Sequence, residues 1–271
     1  MRRQLQGGAA IVTGASSGIG RELARQLALE GVRVLVTARR AERLRELVDQ
    51  IQRLGGEGHS LAGDITDPSV RAELIEKCQR ELGGLDFLIN NAGVGAMGRF
   101  QDASPARLRQ IMEVNFFAPA EMMRLAIPLL AHSSCGIIVN MGSVLGHRAV
   151  GLKSEYCASK FALHGLSDAV RSELESWSID VLHVSPSTTD SEFFTAALED
   201  NTRVRDWKGS RAASPELVAQ KVITAMKRGS QEIVLTPSGK ILVWLDRLFP
   251  RVANRLVARD VAKKGDGGRT R

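Results

Sequence analysis

The sequence predicts an α/β fold, a doubly wound parallel sheet of about seven strands with helices on both faces. Short apolar runs of strand length alternate with segments whose apolar residues recur at helical spacing, along the whole chain of 271 residues. Strands that alternate with helices form parallel sheets covered on both faces. A glycine-rich turn follows the first apolar run, as in many folds of this class. We find no internal repeat or linker, so a single domain over residues 1–271 is predicted.

The predicted elements follow one another in regular order. Strands are predicted at 9–12, 32–37, 59–62, 86–89, 136–140, 179–185 and 232–235. Helices are predicted directly after the glycine turn and at 41–54, 68–82, 105–130, 155–176 and 214–228. The first strand is apolar throughout, as expected of a parallel strand buried on both faces. A C-terminal extension, 240–271, begins with an amphipathic helical segment that Pro250 should break or kink.

The first loop, Thr13 to Gly20, reads Thr-Gly-Ala-Ser-Ser-Gly-Ile-Gly. Glycine permits a tight turn and lets a phosphate approach the backbone without a Cβ in the way. The helix N-terminus behind the loop offers free N–H groups and a positive dipole end to a pyrophosphate. The spacing is neither that of G-x-G-x-x-G nor that of a P-loop. A dinucleotide site is predicted, the alternative being a glycine turn needed only for strand–helix packing.

The end of the second predicted strand indicates which dinucleotide is bound. An acidic residue at this place bonds the ribose 2′-hydroxyl of NAD, whereas an arginine accommodates the 2′-phosphate of NADP. This chain reads Ala38-Arg39-Arg40. Because a guanidinium matches phosphate oxygens, Arg39 favours NADP(H) over NAD(H). The alternative is that both arginines are solvated residues at the start of the next helix.

Ordered motifs make the chain resemble the short-chain dehydrogenases/reductases over roughly residues 8–235. The motifs are Thr13-Gly14-x3-Gly18-x-Gly20, Asn90-Asn91-Ala92-Gly93, Asn115, Ser143, Tyr156-x3-Lys160 and Pro186. The resemblance implies a Rossmann-like sheet and hydride transfer between a nicotinamide and a carbonyl or alcohol carbon. Members of this family usually form dimers or tetramers through the helices that carry Asn115 and Tyr156, so a homodimer or homotetramer is expected.

Tyr156 and Lys160 lie four residues apart, on one face of a predicted helix. Free tyrosine, with a pKa of about 10, is a poor acid or base at neutral pH. A nearby cation favours the phenolate, so we predict that Tyr156 is the general acid/base and that Lys160 lowers its pKa. Ser143 supplies a hydroxyl to hold the substrate oxygen. Each residue alone could be a surface or capping residue, but Tyr156 is the one tyrosine in the chain.

The resemblance implies further roles at the site. Asn115 would support a proton relay through a water on its backbone carbonyl, and Lys160 would also bind the nicotinamide ribose. In an α-helix that carbonyl would bond the N–H of residue 119. Pro119 has none, so it either leaves the carbonyl free or only kinks a packed helix. The full set of predicted cofactor contacts is Gly14, Ser16, Ser17, Gly18, Ile19, Gly20, Arg39, Asp64, Ile65, Asn90, Ala92, Gly93, Tyr156, Lys160, Pro186, Thr189 and Ser191.

Asp64 and Asn90 could also serve as loop caps. After the sixth strand the family usually reads Pro-Gly-x-Val-x-Thr, whereas this chain has Ser187 in place of the glycine. The loop therefore lacks the residue that takes unusual φ and ψ values cheaply. Substrate choice is expected from residues 94–102, 144–155 and a lid at about 188–214. The lid contains the apolar Phe193, Phe194 and Trp207, and the basic Arg203, Arg205, Lys208 and Arg211, which could meet an anionic group or be ordinary solvated charges.

Composition limits the partners. The net charge is +7, but residues 251–271 hold seven Lys/Arg and two Asp/Glu, which leaves +2 for the rest. Without an RNA-binding motif, this balance does not predict nucleic-acid binding. Three unpatterned cysteines suit a reducing cytosol. The histidines at 59, 132, 147, 164 and 183 show no ligand spacing, so no metal is predicted. With neither a signal peptide nor an apolar run of membrane-spanning length, the predicted location is cytoplasmic.

Segment 240–257 has three open interpretations: a cap over the substrate pocket, a subunit contact, or an interfacial membrane helix. Packing on its own protein or a partner subunit is preferred. The residues from Lys264 onward are expected to be disordered. The predicted function is an NADP(H)-dependent oxidoreductase acting on a carbonyl or secondary alcohol of an apolar molecule. The alternatives are a membrane-associated lipid or steroid carbonyl reductase and a non-catalytic dinucleotide-sensing regulator.

Overall fold

A parallel sheet forms the centre of the protein in the computed structural model, which describes residues 3–190, 192–193, 198–199 and 212–265. Its strands are β1 (Ala9–Thr13), β2 (Arg33–Ala38), β3 (Gly58–Ala62), β4 (Phe87–Asn90), β6 (Ile137–Met141), β7 (Asp180–Ser185) and β9 (Glu232–Val234). The order across the sheet is β3-β2-β1-β4-β6-β7-β9, and all pairs are parallel. Two short strands, β5 (Ala96–Met97) and β8 (Leu198–Glu199), pair separately. The predicted doubly wound sheet is confirmed, and each strand bound lies within one residue of its prediction.

Helices cover both faces of the sheet. They are α1 (Gly18–Leu29), α2 (Ala41–Arg53), α3 (Pro68–Leu82), α4 (Pro105–Met112), α5 (Ala118–Leu130), α6 (Ser154–Leu174), α7 (Pro215–Arg228), α8 (Pro237–Leu248) and α9 (Pro250–Gly265). One core cluster packs α1, α2 and α7 against the sheet, and a second packs α3, α5 and α6 on the other face. The strand order reverses direction between β1 and β4, and such a switch point leaves a crevice at the carboxyl ends of the strands.

The predicted continuous helix at 105–130 is wrong in its middle. A π-helical turn, Glu113–Phe117, separates α4 from α5, and the N–H of Ala118 bonds the Glu113 carbonyl five residues back. Apolar periodicity does not reveal one extra residue in a turn, so the sequence could not show this feature. The α-helical pairing assumed in the Pro119 argument is not the pattern of a π-helical turn. Release of the Asn115 carbonyl therefore stays a prediction.

The C-terminal extension breaks where Pro250 predicts, since α8 ends at Leu248 and α9 begins at Pro250. Its helix begins at Pro237, three residues before the predicted start. The break divides the segment into two helices, and each turns one of its own residues inward, Val243 on α8 and Ala253 on α9. α9 runs to Gly265, and 266–271 lie outside the described residues, so the disorder expected from Lys264 onward stays a prediction. Among the described helices, none is both long and apolar enough to cross a bilayer.

Candidate active site

A cavity of about 650 Å³ opens at the carboxyl ends of the central strands. One end is formed by the glycine turn and the residues after β2 and β3, and the other by the segments after β6 and β7. Its lining includes Gly14, Ser16, Ser17, Ile19, Gly20, Arg39, Arg40, Asp64, Ile65, Ala92, Gly93, Ser143, Tyr156, Lys160, Pro186, Thr189, Phe193 and Leu242. Most of the predicted cofactor contacts therefore face one continuous space.

Packing explains the glycines at two positions of the turn. Gly14 has φ +67, and a Cβ there would lie 2.8 Å from Ala92 Cα. A Cβ on Gly20 would lie 2.3 Å from Asn91 Nδ2. Asn91 Nδ2 donates to the carbonyls of Thr13 and Gly14 at 2.9 and 3.2 Å. The packing alternative thus accounts for Gly14 and Gly20 without excluding the cofactor, since both also line the cavity.

The N-terminus of α1 faces the cavity without a side-chain cap. Helices α3, α4, α7 and α8 are each capped by a side chain, but the Ser17 hydroxyl at the start of α1 is not used in this way. Arg40 instead donates to the hydroxyls of Ser16 and Ser17 at 2.9 and 2.8 Å. The first N–H groups of α1 therefore have no side-chain cap, and Ile19 and Gly20 of its first turn line the cavity, as a helix N-terminus that binds an anion requires.

Two arginines hold a carboxylate at the wall of the cavity. Arg40 Nη1 lies 2.7 Å from Glu192 Oε2, and Arg43 Nη2 lies 3.7 Å from Glu192 Oε1. The hydrogen bond from Arg40 lowers the pKa of the Glu192 carboxyl. Arg39, the arginine singled out from the sequence, is exposed and also lines the cavity. The end of β2 therefore forms an anion-binding wall, in which Arg40 makes the observed contacts.

Ser143, Tyr156 and Lys160 come together at the inner end of the cavity. Ser143 follows β6, and its hydroxyl accepts a hydrogen bond from the Leu145 N–H at 3.1 Å. Tyr156 and Lys160 lie one turn apart on α6, and both are buried. Lys160 Nζ donates to the Met141 carbonyl at 2.7 Å and lies 5.8 Å from the centre of the Tyr156 ring.

Burial dominates the ionisation of both groups on α6. It raises the pKa of Tyr156 to about 12, although hydrogen bonding with Ser143 acts in the opposite direction. Burial also lowers the pKa of Lys160 to about 8. At neutral pH the phenol keeps its proton and the lysine is mostly charged. The net direction for Tyr156 is opposite to the sequence prediction, which considered the lysine charge but not the cost of burying a phenolate.

Asn115 is buried in the π-helical turn and holds neighbouring segments together. Its Nδ2 donates to the Val94 carbonyl at 2.9 Å and to Ser159 Oγ at 3.0 Å, while its Oδ1 accepts from the Val94 N–H at 2.8 Å. Ser159 immediately precedes Lys160 on α6. The Asn115 side chain thus positions the loop after β4 and the helix that carries the tyrosine and lysine.

Several predicted contacts are placed differently from the rest. Asn90 does not line the cavity, because its side chain donates to Asn140 Oδ1 at 2.9 Å inside the sheet. Gly18, with φ +55, begins α1 and is likewise absent from the lining. Asp64 lines the cavity and also caps its own loop, since its carboxylate accepts from Thr66 N at 2.9 Å. Ser191 lies outside the described residues, as do Phe194, Trp207 and the four basic lid residues predicted with them: Arg203, Arg205, Lys208 and Arg211.

The loop after β7 does not need a glycine. Among the described residues, the non-glycine residues with positive φ are Leu152 and Ser178, so Ser187 avoids the left-handed region. The Pro186 carbonyl accepts from Val144 N at 3.0 Å, which ties the loop to the segment after Ser143. The serine at the usual glycine position therefore imposes no backbone strain on the cavity wall.

Leu242 brings α8 into the cavity lining, and a cap over the pocket is one of the three interpretations open for segment 240–257. Two other features of the site were not predicted from the sequence. Gln110, Glu113 and Val114 bring the end of α4 and the π-helical turn into the lining. Beside Tyr156, the buried Glu155 carboxylate pairs with Arg107 of α4, with Oε2 2.5 Å from Nη2. Charged residues 48 positions apart give no local signal of such a pair.

Three histidines that are far apart in the sequence cluster behind the site. Ring nitrogens of His147, His164 and His183 lie within 4.8 Å of one another. The rings of His164 and His183 are stacked, with centroids 4.5 Å apart and 22° between planes. The planes of these two rings are therefore nearly parallel, so in this arrangement their lone pairs do not converge on one point. The absence of a metal site stays a prediction.

Known proteins with similar sequences identify the family of this chain. A family model for short chain dehydrogenases matches residues 8–202. The chain belongs to the short-chain dehydrogenase/reductase family. It is 30% identical over 274 residues to dehydrogenase/reductase SDR family member 7B of Bos taurus, and the match covers 97% of this chain and 84% of the relative.

Solved structures share the fold of this short-chain dehydrogenase/reductase. One from Burkholderia phymatum, in complex with NAD, has a TM-score of 0.84 at 22% identity, covering 92% of this chain and 96% of that one. An alcohol dehydrogenase from the archaeon Thermococcus sibiricus, complexed with 5-hydroxy-NADP, has a TM-score of 0.76 at 22% identity, covering 84% and 95%. As a family member, this chain is an oxidoreductase that acts on CH–OH or C=O groups with a nicotinamide dinucleotide.

Proposed function

We propose that this short-chain dehydrogenase/reductase is an NADP(H)-dependent enzyme that reduces a ketone or aldehyde of an apolar molecule, or runs the reverse oxidation. One observation carries the proposal. Buried Ser143, Tyr156 and Lys160 lie at one end of a cavity whose other end is bounded by Arg39 and Arg40.

The residues of the cavity fit the cofactor in two ways. The N–H groups at the start of α1 face the cavity without a side-chain cap, as the pyrophosphate requires. The wall after β2 presents arginines that already hold the carboxylate of Glu192, so it can hold an anion. A guanidinium suits the 2′-phosphate of NADP(H), which NAD(H) lacks. When bound, the nicotinamide supplies the hydride or accepts it.

The roles of the catalytic residues follow from their protonation. A carbonyl that is reduced needs a proton on its oxygen, and Tyr156 retains its proton at neutral pH because its pKa is raised. The Ser143 hydroxyl donates a hydrogen bond to the same oxygen. The Lys160 ammonium stabilises the phenolate left after proton transfer. The Asn115 side chain holds the loop after β4 against α6. Its backbone carbonyl supports the relay that returns a proton to Tyr156.

An apolar substrate is supported by the rest of the lining. Val94, Val144, Leu145, Phe193 and Leu242 face the cavity beside the catalytic end. The Phe193 ring lies edge-on to the Tyr156 ring, with centroids 5.8 Å apart. These side chains offer carbon surface rather than charge to the part of the substrate beyond its carbonyl group.

A homo-oligomer is supported by apolar residues on the helices expected to form the subunit contact. Phe117 in the π-helical turn, Leu125 on α5 and Phe161 on α6 are exposed. Exposed apolar side chains grouped in this way are typical of a subunit contact. We propose a dimer or tetramer through this face, and light scattering of the purified protein would give its size.

Cofactor choice is tested by fluorescence titration with NADPH and, separately, NADH. We expect the wild type to bind NADPH more tightly than NADH. In Arg39→Ala or Arg40→Ala the ratio of the two Kd values should fall roughly 10- to 100-fold, because each substitution removes a charged partner of the phosphate. Arg45→Ala, an exposed arginine one turn further along α2, is the matched control. Equal binding of NADPH and NADH by the wild type would refute the NADP(H) assignment.

Catalysis is tested with Tyr156→Phe, which keeps the ring and removes the hydroxyl. We expect turnover of apolar ketones to fall by about 10²- to 10⁴-fold, with the Kd for NADPH unchanged within twofold. Trp177→Phe, which changes an exposed aromatic residue just after the end of α6, is the control. A wild type that binds NADPH but turns over no carbonyl or alcohol in a broad screen would favour the dinucleotide-sensing regulator.

A further inference from the structure

A stripe of large apolar side chains is exposed along the last two helices. Ile241, Trp244 and Leu248 lie on one face of α8, and they are 67%, 60% and 62% exposed. Phe249 at the break, and Val252 and Leu256 on α9, are also exposed. We call these six residues the α8–α9 stripe. Contiguous exposed apolar surface of this kind marks an interaction site more often than chance scatter.

The stripe cannot simply fold back onto the protein, because the opposite faces of the same helices are already fixed. Val243 of α8 and Ala253 of α9 are buried. A single residue from the loop after Ser143 binds both helices: Arg148 donates to Asp246 Oδ1 at 2.8 Å and to Asn254 Oδ1 at 2.5 Å. The stripe therefore points outward as a consequence of how the helices dock.

The surroundings of the stripe are strongly basic. From 237 to 259 the chain has five basic residues and one acidic residue, a net charge of +4 from five minus one. The acidic residue, Asp246, is already paired with Arg148. All the basic side chains are exposed: Lys240, Arg247, Arg251, Arg255 and Arg259. Long basic side chains beside an apolar face are typical of helices that lie in the interface of an anionic membrane.

We propose that the α8–α9 stripe binds an anionic lipid bilayer, with its apolar side chains in the interface and its basic side chains among the head groups. A second copy of this chain is a poorer occupant. In a two-fold contact the same patch meets itself, so each net charge of +4 would face another. The helices expected to form the subunit contact also have their own exposed apolar residues, including Phe117 and Phe161.

The same helix connects the stripe with the catalytic cavity. Leu242 lines the cavity, while its neighbour Ile241 belongs to the exposed stripe. A bilayer bound to the stripe would thus lie close to the cavity wall formed by α8. Resting on the proposed function, this arrangement indicates an apolar carbonyl compound that partitions into the membrane and reaches Tyr156 from the α8 side.

Flotation of the full chain with vesicles tests the bilayer contact. The vesicles contain phosphatidylcholine alone or phosphatidylcholine mixed with phosphatidylglycerol. We expect binding to the anionic vesicles, weaker binding at high salt, and at least about tenfold weaker partitioning of the double variant Trp244→Ser/Leu248→Ser. The matched control is Trp177→Ser/Leu217→Ser, which removes a tryptophan and a leucine exposed outside the stripe. NADPH titration of each variant confirms that it is folded.

Two outcomes would overturn the proposal: no binding of the wild type to anionic vesicles, and equal binding by the stripe variant. If the wild type does not bind lipid and the oligomer of the stripe variant dissociates, the stripe is a subunit contact. Vesicle binding needs no turnover, so a chain that binds vesicles yet reduces no carbonyl would reject the proposed function and leave the bilayer contact standing.

Discussion

At the scale of single residues, Glu192 has an informative position. Its carboxylate contacts Arg40 and Arg43, and Arg40 is one of the two arginines proposed above to bind the 2′-phosphate of NADP(H). Under that proposal the phosphate and Glu192 would compete for Arg40, because two anions at one guanidinium repel each other. A residue of the predicted lid therefore lies at the cofactor end of the cavity.

Replacing Glu192 with glutamine should tighten NADPH binding by up to about fivefold, because a partly exposed ion pair of this kind contributes about 0.2–1 kcal/mol. The Kd for NADH should not change, since NADH has no phosphate at this place. Fluorescence titration of both cofactors gives the comparison, with Glu216→Gln on α7 as the control. Weaker NADPH binding would mean that Glu192 assists the cofactor instead of competing with it.

The sequence shows the arginines at the end of β2 but not the contacts that they make. The lack of an acidic residue after β2 could be read directly, as could the two arginines. Arg40, rather than the singled-out Arg39, contacts Ser16 and Ser17, because side-chain direction depends on the turn into α2. Asn90 is a second example. The motif predicts an asparagine at this position, but it does not show whether the side chain points into the cavity or into the sheet.

At the scale of elements, the buried pair of Arg107 and Glu155 joins α4 to the first turn of α6. Their side chains are 6% and 4% exposed. Arg107 also donates to the Met97 carbonyl at 3.3 Å, so the pair links β5 to both helices. Glu155 precedes Tyr156, and a shift of this turn would move the phenol relative to Ser143.

Removing one partner should leave an unpaired buried charge. Glu155→Gln is expected to lower the free energy of unfolding by about 3–5 kcal/mol, whereas the apolar double variant Arg107→Met/Glu155→Leu should lose much less. Denaturation in urea measures both. Glu121→Gln, which breaks the exposed pair with Arg124, is the control and should cost no more than about 1 kcal/mol. A loss below 1 kcal/mol for Glu155→Gln would show that water reaches the site.

Elements were predicted well where one periodicity ran through a whole segment. Strands and caps have local signals, such as Pro68 after Asp67 at the start of α3. The π-helical turn and the docking of α8 have none. The first depends on one additional residue in a turn, and the second depends on Arg148, nearly a hundred positions earlier in the chain.

At the scale of the whole molecule, the sheet brings His147, His164 and His183 together from three elements. His183 on β7 is fully buried, and its Nδ1 lies 3.2 Å from Ser167 Oγ. Its neighbours Lys160 and Arg171 are positive. Glu232 and Asp168 lie against the other two rings, and both act to raise the pKa of His147. Burial, with the surrounding positive charge, lowers the pKa of His183 to about 2, and burial also lowers the pKa of His147.

This cluster should make the folded protein sensitive to acid. His147 and His183 have lowered pKa values in the folded protein, so below pH 6.5 the unfolded chain binds protons at these two residues that the folded chain does not bind. Their contribution to stability is therefore full above pH 6.5 and is lost as the pH falls. The slope is at most about 1.4 kcal/mol per pH unit for each histidine. His183→Gln should flatten the dependence of the unfolding free energy between pH 6.5 and 5, and His132→Gln at the surface should not. Equal slopes in wild type and His183→Gln would contradict this account.

The solitary tyrosine has a further use. Because Tyr156 is the one phenol in 271 residues, the near-ultraviolet absorbance change that accompanies phenol ionisation reports this group and no other. An optical titration therefore follows the acid/base residue directly, without isotopic labels and without a substrate. Few enzymes allow a single chromophore, already present in the natural chain, to show how each change of partner or ligand alters the protonation of the reacting group.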